Sequence, residues 1–384
     1  MATGIFRAGN AITLLESGVE YFPALEMAIH KAQREVYLET YIFADDQTGR
    51  RIADALARAV ARGVQVYVLV DGFGSRDLAG NLLDDMRMRG VEILVFRPEV
   101  ATFRFRRRRL RRLHRKIAVI DGAVAFVGGI NIIDDVNTPK QIPPRYDYAV
   151  RVEGPLLGDI YPMAKQLWRR LHWTSFRRSG VPLRFSPIVD SLGDVVAAFL
   201  VRDNVRHRRD IEEAYLGAID AAQNEIIIAN AYFLPGQRFR HALTKAAARG
   251  VRVVLLLQGR VEYFLLHYAT RALYASLLAG GVEILEYHKS FLHAKVAVID
   301  LQWSTVGSSN IDPFSLMLAR EANVVIRDKA FAHILRKSLH QAIEKGALPV
   351  GERWRRRPLI DRMLSWTCYG FARFVMGLFG YAQD

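Results

Sequence analysis

One cysteine, Cys368, stands in the chain. No disulfide can form within it, which excludes a small disulfide-stapled scaffold and fits a reducing compartment. Long apolar runs are also missing. No stretch reaches the roughly 18 uncharged apolar residues of a membrane span. The nearest, residues 363–382 (MLSWTCYGFARFVMGLFGYA), is interrupted by Arg373. The opening MATGIFRAGN has no charged segment followed by an apolar one, which argues against a secretory signal. No group of His, Cys or acidic residues has metal-ligand spacing, so neither a metal nor a cofactor is expected. Acidic residues are scarce: 39 Asp and Glu face 54 Lys and Arg, a net charge of +15. Such an excess calls for an anionic partner, whether nucleic acid, a phosphate-rich substrate or an anionic membrane surface.

Apolar residues are not scarce. At 51% of 384 residues they supply core for two domains of ordinary size. The chain is internally duplicated. FPALEMAIHKAQREVYLETYIF (22–43) matches EAYLGAIDAAQNEIIIANAYF (213–233), and ADALARAVARGVQVYVLVDG (53–72) matches RHALTKAAARGVRVVLLLQG (240–259). MRGVEILVF (88–96) matches AGGVEILEY (279–287), and LHRKIAVIDGAVAFVGGIN (113–131) matches LHAKVAVIDLQWSTVGSSN (292–310). Each unit reads as helices of 3.6-residue period alternating with short β-branched strands. This is an α/β pattern that predicts a mostly parallel sheet covered by helices. The Gly-, Pro- and Ser-punctuated stretch 175–194 is the expected join. The domains are then 1–180, 181–350 and a basic, apolar tail over 351–384.

The last matched segment carries the chemistry. His114, Lys116, Asp121, Gly128 and Asn131 recur at equal offsets as His293, Lys295, Asp300, Gly307 and Asn310. Alternate residues of a strand share a face, so each His stands beside its Lys. The ammonium binds phosphate as a point charge. The imidazole can attack phosphorus or move a proton near neutral pH. A lone His-x-Lys is usually structural, but two copies with all the polar offsets intact argue for a site. Asp121 and Asp300 stand between two readings, part of the catalytic set or holding the turn after the strand. Gly129 is replaced by Ser308 in the second copy, so the half-sites differ by a hydroxyl.

HxKxxxxD followed by Gly and Asn, found twice, resembles the signature of the phospholipase D superfamily. LLESGVEYFPALEMAI, LETYIFADDQTGR, VLVDGFGS and GSSNIDPFSLMLAREANVVI look like bacterial cardiolipin synthases of the short form without N-terminal membrane spans. The resemblance implies two α/β/α sandwich halves related by a pseudo-twofold axis, with one active site between them. It also implies a covalent phosphohistidine intermediate and no required metal. By that likeness His114 is the nucleophile and His293 the acid and base. Lys116, Lys295, Asn131, Asn310 and Ser308 hold the phosphate. Glu321, 28 residues after His293, and Asp147, 33 residues after His114, orient the histidines. The implied reaction makes cardiolipin from two phosphatidylglycerols. Phosphatidyl transfer to phosphatidylethanolamine or another alcohol, lipid or nucleic-acid hydrolysis, and simple binding are the alternatives.

One insertion separates the copies. Gly90 to His114 is 24 residues, whereas Gly281 to His293 is 12. The added loop holds Arg104, Arg106, Arg107, Arg108, Arg109, Arg111 and Arg112, interleaved with Phe103, Phe105 and Leu110. Arginines beside aromatics suit an anionic bilayer surface, with a nucleic-acid arm as the competing reading. The tail reads as a helix lying in the membrane interface, with Trp354 and Trp366 at headgroup depth, or as one packed on the second domain. The expected location is peripheral, on the cytoplasmic face of the bacterial cell membrane.

Overall fold

The computed structural model describes residues 4–78, 80–97, 111–138, 141–174, 185–203, 207–312, 319–351, 354 and 357–378. The first half runs β1 (Arg7–Glu16), α1 (Ser17–Lys31), β2 (Glu35–Thr40), α2 (Gln47–Ala61), β3 (Gln65–Asp71), α3 (Asn81–Met88), β4 (Glu92–Phe96), β5 (Arg112–Leu113), β6 (Lys116–Ile120), β7 (Val124–Gly128), β8 (Arg145–Tyr146), β9 (Tyr148–Glu153) and α4 (Leu157–Thr174). The second runs β10 (Val195–Arg202), α5 (Asp210–Ala221), β11 (Glu225–Asn230), α6 (Gln237–Ala248), β12 (Arg252–Gln258), α7 (Phe264–Ala279), β13 (Glu283–Tyr287), β14 (Phe291–Leu292), β15 (Lys295–Ile299), β16 (Trp303–Gly307), β17 (Ala319–Arg327), α8 (Lys329–Gly346), β18 (Ala347–Pro349) and α9 (Leu359–Leu378).

Local sequence explains the elements. In α2, Ile52, Ala53, Leu56 and Ala59 recur at helical spacing and are buried. Its first turn is capped by Asp46, which accepts from the Gly49 N–H at 2.9 Å. Strand β2 (EVYLET) is buried on both faces between two helical layers, its carboxylates Glu35 and Glu39 partnered by Tyr161 and Arg115. The outer layer of the first half is α1, α2 and α3, and that of the second is α5, α6 and α7. Between the halves, Ile160 and Leu167 of α4 and Leu335 and Leu339 of α8 pack in one apolar cluster with Val150 and Val324. Truncating Leu335 or Leu339, both fully buried, to alanine would cost about 2–5 kcal/mol.

The two halves share one sheet, through antiparallel pairing of β1 with β10. The expectation of a mostly parallel sheet is corrected here. Among the longer described strands, only β2–β3–β4 and β11–β12–β13 are parallel. The motif strands β6 and β15 run antiparallel to their neighbours. The reason is the connection after each motif. Only residues 121–123 join β6 to β7, too few for a crossover helix, so the chain must return antiparallel. Asp121 and Gly122 take φ of 55° and 62°, and Asp300 and Leu301 take 52° each. Part of the expected join, residues 175–184, lies outside the described residues.

Candidate active site

Each motif histidine follows a two-residue strand that pairs with the other half. Strand β5 pairs in parallel with the start of β17, Leu113 opposite Arg320, and the His114 N–H then donates to the Arg320 carbonyl at 3.0 Å. Strand β14 pairs in parallel with β8, Leu292 opposite Tyr146, and the His293 N–H donates to the Tyr146 carbonyl at 2.8 Å. The residue after each accepting carbonyl is a carboxylate. Glu321 takes the His114 Nδ1–H at 3.0 Å, and Asp147 takes the His293 Nδ1–H at 2.6 Å. Each half therefore supplies a histidine to the site and the carboxylate that orients the other half's histidine. The Nδ1 tautomer follows from the acceptor, which leaves Nε2 as the nitrogen open to a ligand.

Two further side chains clamp these short strands. Asp71, at the end of β3, accepts the Leu113 N–H at 2.8 Å. Gln258, at the end of β12, accepts the Leu292 N–H at 3.1 Å. They occupy the same position of the repeat, VLVDG against LLLQG. That match of polar residues ending buried strands is the signal by which they are found in the sequence.

The lysines lie beneath the histidines. Lys116 Nζ donates to the His114 carbonyl at 2.6 Å, and Lys295 Nζ bonds the His293 carbonyl. Lys295 also stands 3.6 Å from Asp147. Burial lowers the Lys116 ammonium to about 7, opposed by Glu321. Lys295 is lowered by the same burial, opposed by Asp147 and Glu321. Burial also lowers both histidines. For His114, Glu321 works in the other direction; for His293, Lys295 and Arg145 add to the effect. Burial raises Asp147, against the pull of Lys295. The histidines and lysines of the two halves act on one another, His114 on His293 and Lys295 on Lys116, so the motifs converge on one place. Such a cluster of desolvated cations is poised for an anion, whose charge would restore the protonated forms. Tyr41 packs edge-on to His114 at 4.9 Å, and Tyr232 to His293 at 6.4 Å.

Asn131 and Asn310 are buried three residues beyond Gly128 and Gly307. The Asn131 Oδ1 accepts the Ile42 N–H at 3.1 Å, so its amide N–H groups are what it offers a ligand. Ser308, expected on the phosphate, is instead a positioning residue. Its hydroxyl donates to Glu321 at 2.5 Å and accepts the Ala322 N–H at 3.0 Å. At the matching Gly129, a Cβ would come within 2.3 Å of Asp147, so the shorter carboxylate fills the place of the hydroxyl.

Asp121 and Asp300 leave the catalytic set. Asp121 accepts the N–H groups of Gln33, Arg34 and Glu35 at 2.8, 2.8 and 2.9 Å. Asp300 accepts those of Gln223, Asn224 and Glu225 at 2.7, 2.8 and 2.9 Å. Five residues past Lys116 on an extended strand is about 16 Å, too far from the histidines to act on a shared substrate. Of the arginine run, Arg104 and Arg106 to Arg109 lie outside the described residues. The Arg111 carbonyl accepts from Arg97 at 3.4 Å. Arg112 turns inward, over the Phe73 ring at 5.0 Å and 3.9 Å from Asp71, and so is no headgroup contact. Trp354 is buried against Tyr274 at 4.8 Å, not held at headgroup depth.

Residues 25–141 and 215–343 match the family described as “Cardiolipin synthase, PLD-like domain”. The chain is similar to cardiolipin synthase B of Shigella flexneri, 42% identical over 357 residues, 90% of this chain and 84% of that one. It is also similar to a probable cardiolipin synthase of Bacillus subtilis, 30% identical over 96% of this chain and 72% of that one. Among solved structures it is similar to the phosphatidylserine synthase of Haemophilus influenzae Rd KW20, with a TM-score of 0.72 at 14% identity, covering 99% of this chain and 97% of that one.

Proposed function

The chain belongs to the phospholipase D-like cardiolipin synthase family, and from that premise we propose that it makes cardiolipin and glycerol from two molecules of phosphatidylglycerol. His114 Nε2 attacks the phosphorus of the first. The bond from phosphorus to the glycerol oxygen breaks, and that oxygen takes the proton of His293 Nε2. A hydroxyl of the second phosphatidylglycerol then gives its proton to His293 as its oxygen attacks phosphorus. The phosphorus–nitrogen bond breaks and His114 is freed.

The observation that carries this reading is the exchange of carboxylates between halves, which fixes both Nδ1 atoms and leaves two Nε2 atoms for one substrate. Burial favours the neutral form of His114, as a nucleophile needs. The phosphodiester charge between the histidines supplies what His293 lacks for the imidazolium form. Lys116, Lys295, Asn131 and Asn310 are the donors for the phosphate oxygens as charge moves onto them.

On this reading the enzyme works peripherally on the anionic cytoplasmic face of the membrane. No helix among the described residues is long and apolar enough to cross a membrane. What supports a surface role is α9, which packs on α7 through Cys368 and Ala372 and turns Leu359, Met363, Trp366 and Phe374 outward.

The test is labelled phosphatidylglycerol in vesicles, with products separated by mass, with and without excess primary alcohol. Cardiolipin and glycerol are expected, with a phosphatidyl alcohol formed at the expense of cardiolipin when the alcohol is present. Phosphatidic acid as the sole product under both conditions would identify a hydrolase. Nucleic-acid cleavage without lipid turnover would identify a nuclease.

A further inference from the structure

Duplication makes the two sides of the active site comparable, and behind it they differ. Tyr146 and Arg320 are equivalent, since each precedes an orienting carboxylate and gives its carbonyl to a motif histidine. Where β8 leads into β9 the inner face is sealed. The hydroxyls of Tyr146 and Tyr148 meet the Ser338 hydroxyl at 3.1 and 2.7 Å, and Tyr146 stacks on Tyr287 at 5.9 Å. On β17 the same face carries Arg320 and then Ala322, and a cavity of about 410 Å³ opens instead.

Arginine lines that cavity: Arg115, Arg170, Arg202 and Arg320, with Asp203 as the one acidic wall residue. Arg115 is paired to buried Glu39 at 2.7 Å, whereas Arg202 donates to the carbonyls of Arg208 and Ala319. Basic side chains thus outnumber acidic ones in the lining of this partly enclosed space. Burial is the main influence against the charge of Arg320; Arg115 and Arg170 add to it, and Asp203 and Glu39 oppose it. A phosphate is the ligand that such planar donors fit.

The cavity does not end there. Met163, Gln166, Val201 and His207 also line a trough of about 960 Å³ along α4 and β10, whose walls include Phe185, Phe199 and Leu200. The trough is mixed, with Asp159 paired to Arg7 and Asp210 to His207, but Ile5, Phe185, Phe199 and Leu200 give it an apolar strip that runs into the arginine-lined end, the form of an anionic amphiphile.

We propose that cavity and trough form a second lipid site, distinct from the two-histidine centre, which takes the phosphate of an anionic phospholipid among Arg115, Arg170, Arg202 and Arg320 and an acyl chain along Met163 and Phe199. Arg115 lies between His114 and Lys116 in the chain, and Arg320 adjoins Glu321. A lipid held there lies beside the strands that aim His114.

The test is calorimetric titration of monomeric dihexanoyl phosphatidic acid into the full chain carrying His114→Ala, which cannot turn lipid over through His114. Two binding sites are expected. Arg170→Gln with Arg320→Gln should weaken one of them at least tenfold and leave the other unchanged. Arg170→Gln alone, on the exposed face of α4, should weaken the same site with no shift in Tm. Phe199→Trp, which fills the trough, should weaken the lipid at least fivefold but leave inorganic phosphate binding at that site unaltered. A single site in the His114→Ala chain, or two sites indifferent to the arginine changes, overturns the proposal. A site that responds to the arginines but binds free phosphate as tightly as the lipid, and ignores Phe199→Trp, refutes its lipid character.

Discussion

His114 and Glu321 are 207 residues apart in the chain and 3.0 Å apart at Nδ1 and Oε2. Neither half can assemble a working histidine alone, because the orienting carboxylate always comes from the other half. Glu321 also sets the charge state, since burial lowers His114 and the carboxylate raises it. On the proposed mechanism attack needs the neutral imidazole, so kcat/KM should be lost as pH falls through the His114 pKa, which burial holds below the usual imidazole range. Glu321→Gln removes the raising charge. It should move that limb to still lower pH and cut kcat/KM by about 10²–10⁴-fold through loss of imidazolium support. A pH profile of wild type and variant decides this, and an unmoved limb would assign the titration to another group.

Lys116 predicts an opposite limb. Its ammonium is lowered to about 7 by burial, so near pH 7 the empty site is half deprotonated there. A phosphodiester binds the charged form. Above pH 7, proton uptake must accompany binding, and KM should rise by up to about tenfold per pH unit. Lys116→Arg keeps the charge at all working pH values and should flatten that rise, even as its bulk lowers kcat. A rise in KM that persists in the variant would place the titrating group elsewhere.

Asp121 tests the corrected half of the motif. Its carboxylate holds three backbone N–H groups between α1 and β2, remote from His114. Asp121→Ala should destabilise the chain by about 1–3 kcal/mol in urea unfolding and leave kcat per folded molecule within about threefold. Asp300→Ala should match it. Unchanged stability with kcat down a hundredfold would return the residue to the chemistry.

The reach of the sequence follows from this contrast. The repeat, the α/β class and the His and Lys pairs are legible because each is a local pattern at fixed offsets. Which carboxylate serves which histidine is not, because β5 with β17 and β8 with β14 are two-residue pairings across the halves, with no local periodicity. The antiparallel motif strands were hidden by their neighbours, whose helix–strand alternation is what a parallel sheet shows. The role of Ser308 lay in its partner Glu321, 13 residues on and across β16 and β17. The repeated aspartates stayed open between two roles for a physical reason: a turn that needs an acceptor for three N–H groups retains its side chain in both copies as firmly as a catalytic residue.

The Gly129 and Ser308 pair predicts unequal tolerance. Ser308→Ala deletes one hydrogen bond to a carboxylate that still holds His114, and kcat should fall about tenfold with the acid limb shifted. Gly129→Ala puts a methyl group within van der Waals conflict of both Asp147 oxygens, at 2.3 and 2.6 Å. It should displace Asp147 from His293, with a loss of kcat larger than tenfold and a lower Tm. Equal effects of the two changes would show that the half-sites are interchangeable.

The outward stripe of α9 predicts how the enzyme meets its substrate. Cys368 and Ala372 mark the buried side, and Leu359, Met363, Trp366 and Phe374 recur at helical spacing on the opposite side, between 57% and 72% exposed. Arg362 and Arg373 flank the stripe, placed for anionic headgroups while the apolar side chains enter the interface. Met363→Ser with Trp366→Ser and Phe374→Ser should lower affinity for phosphatidylglycerol vesicles at least tenfold in flotation. Turnover of a short-chain substrate dispersed in detergent should stay within twofold. Arg362→Gln with Arg373→Gln should weaken binding less, and the loss should vanish at high salt because screening already removes that contribution. Should sedimentation show instead that the serine variant turns a dimer into a monomer while vesicle binding persists, the stripe is a contact between copies of the chain and the membrane must be met by another face.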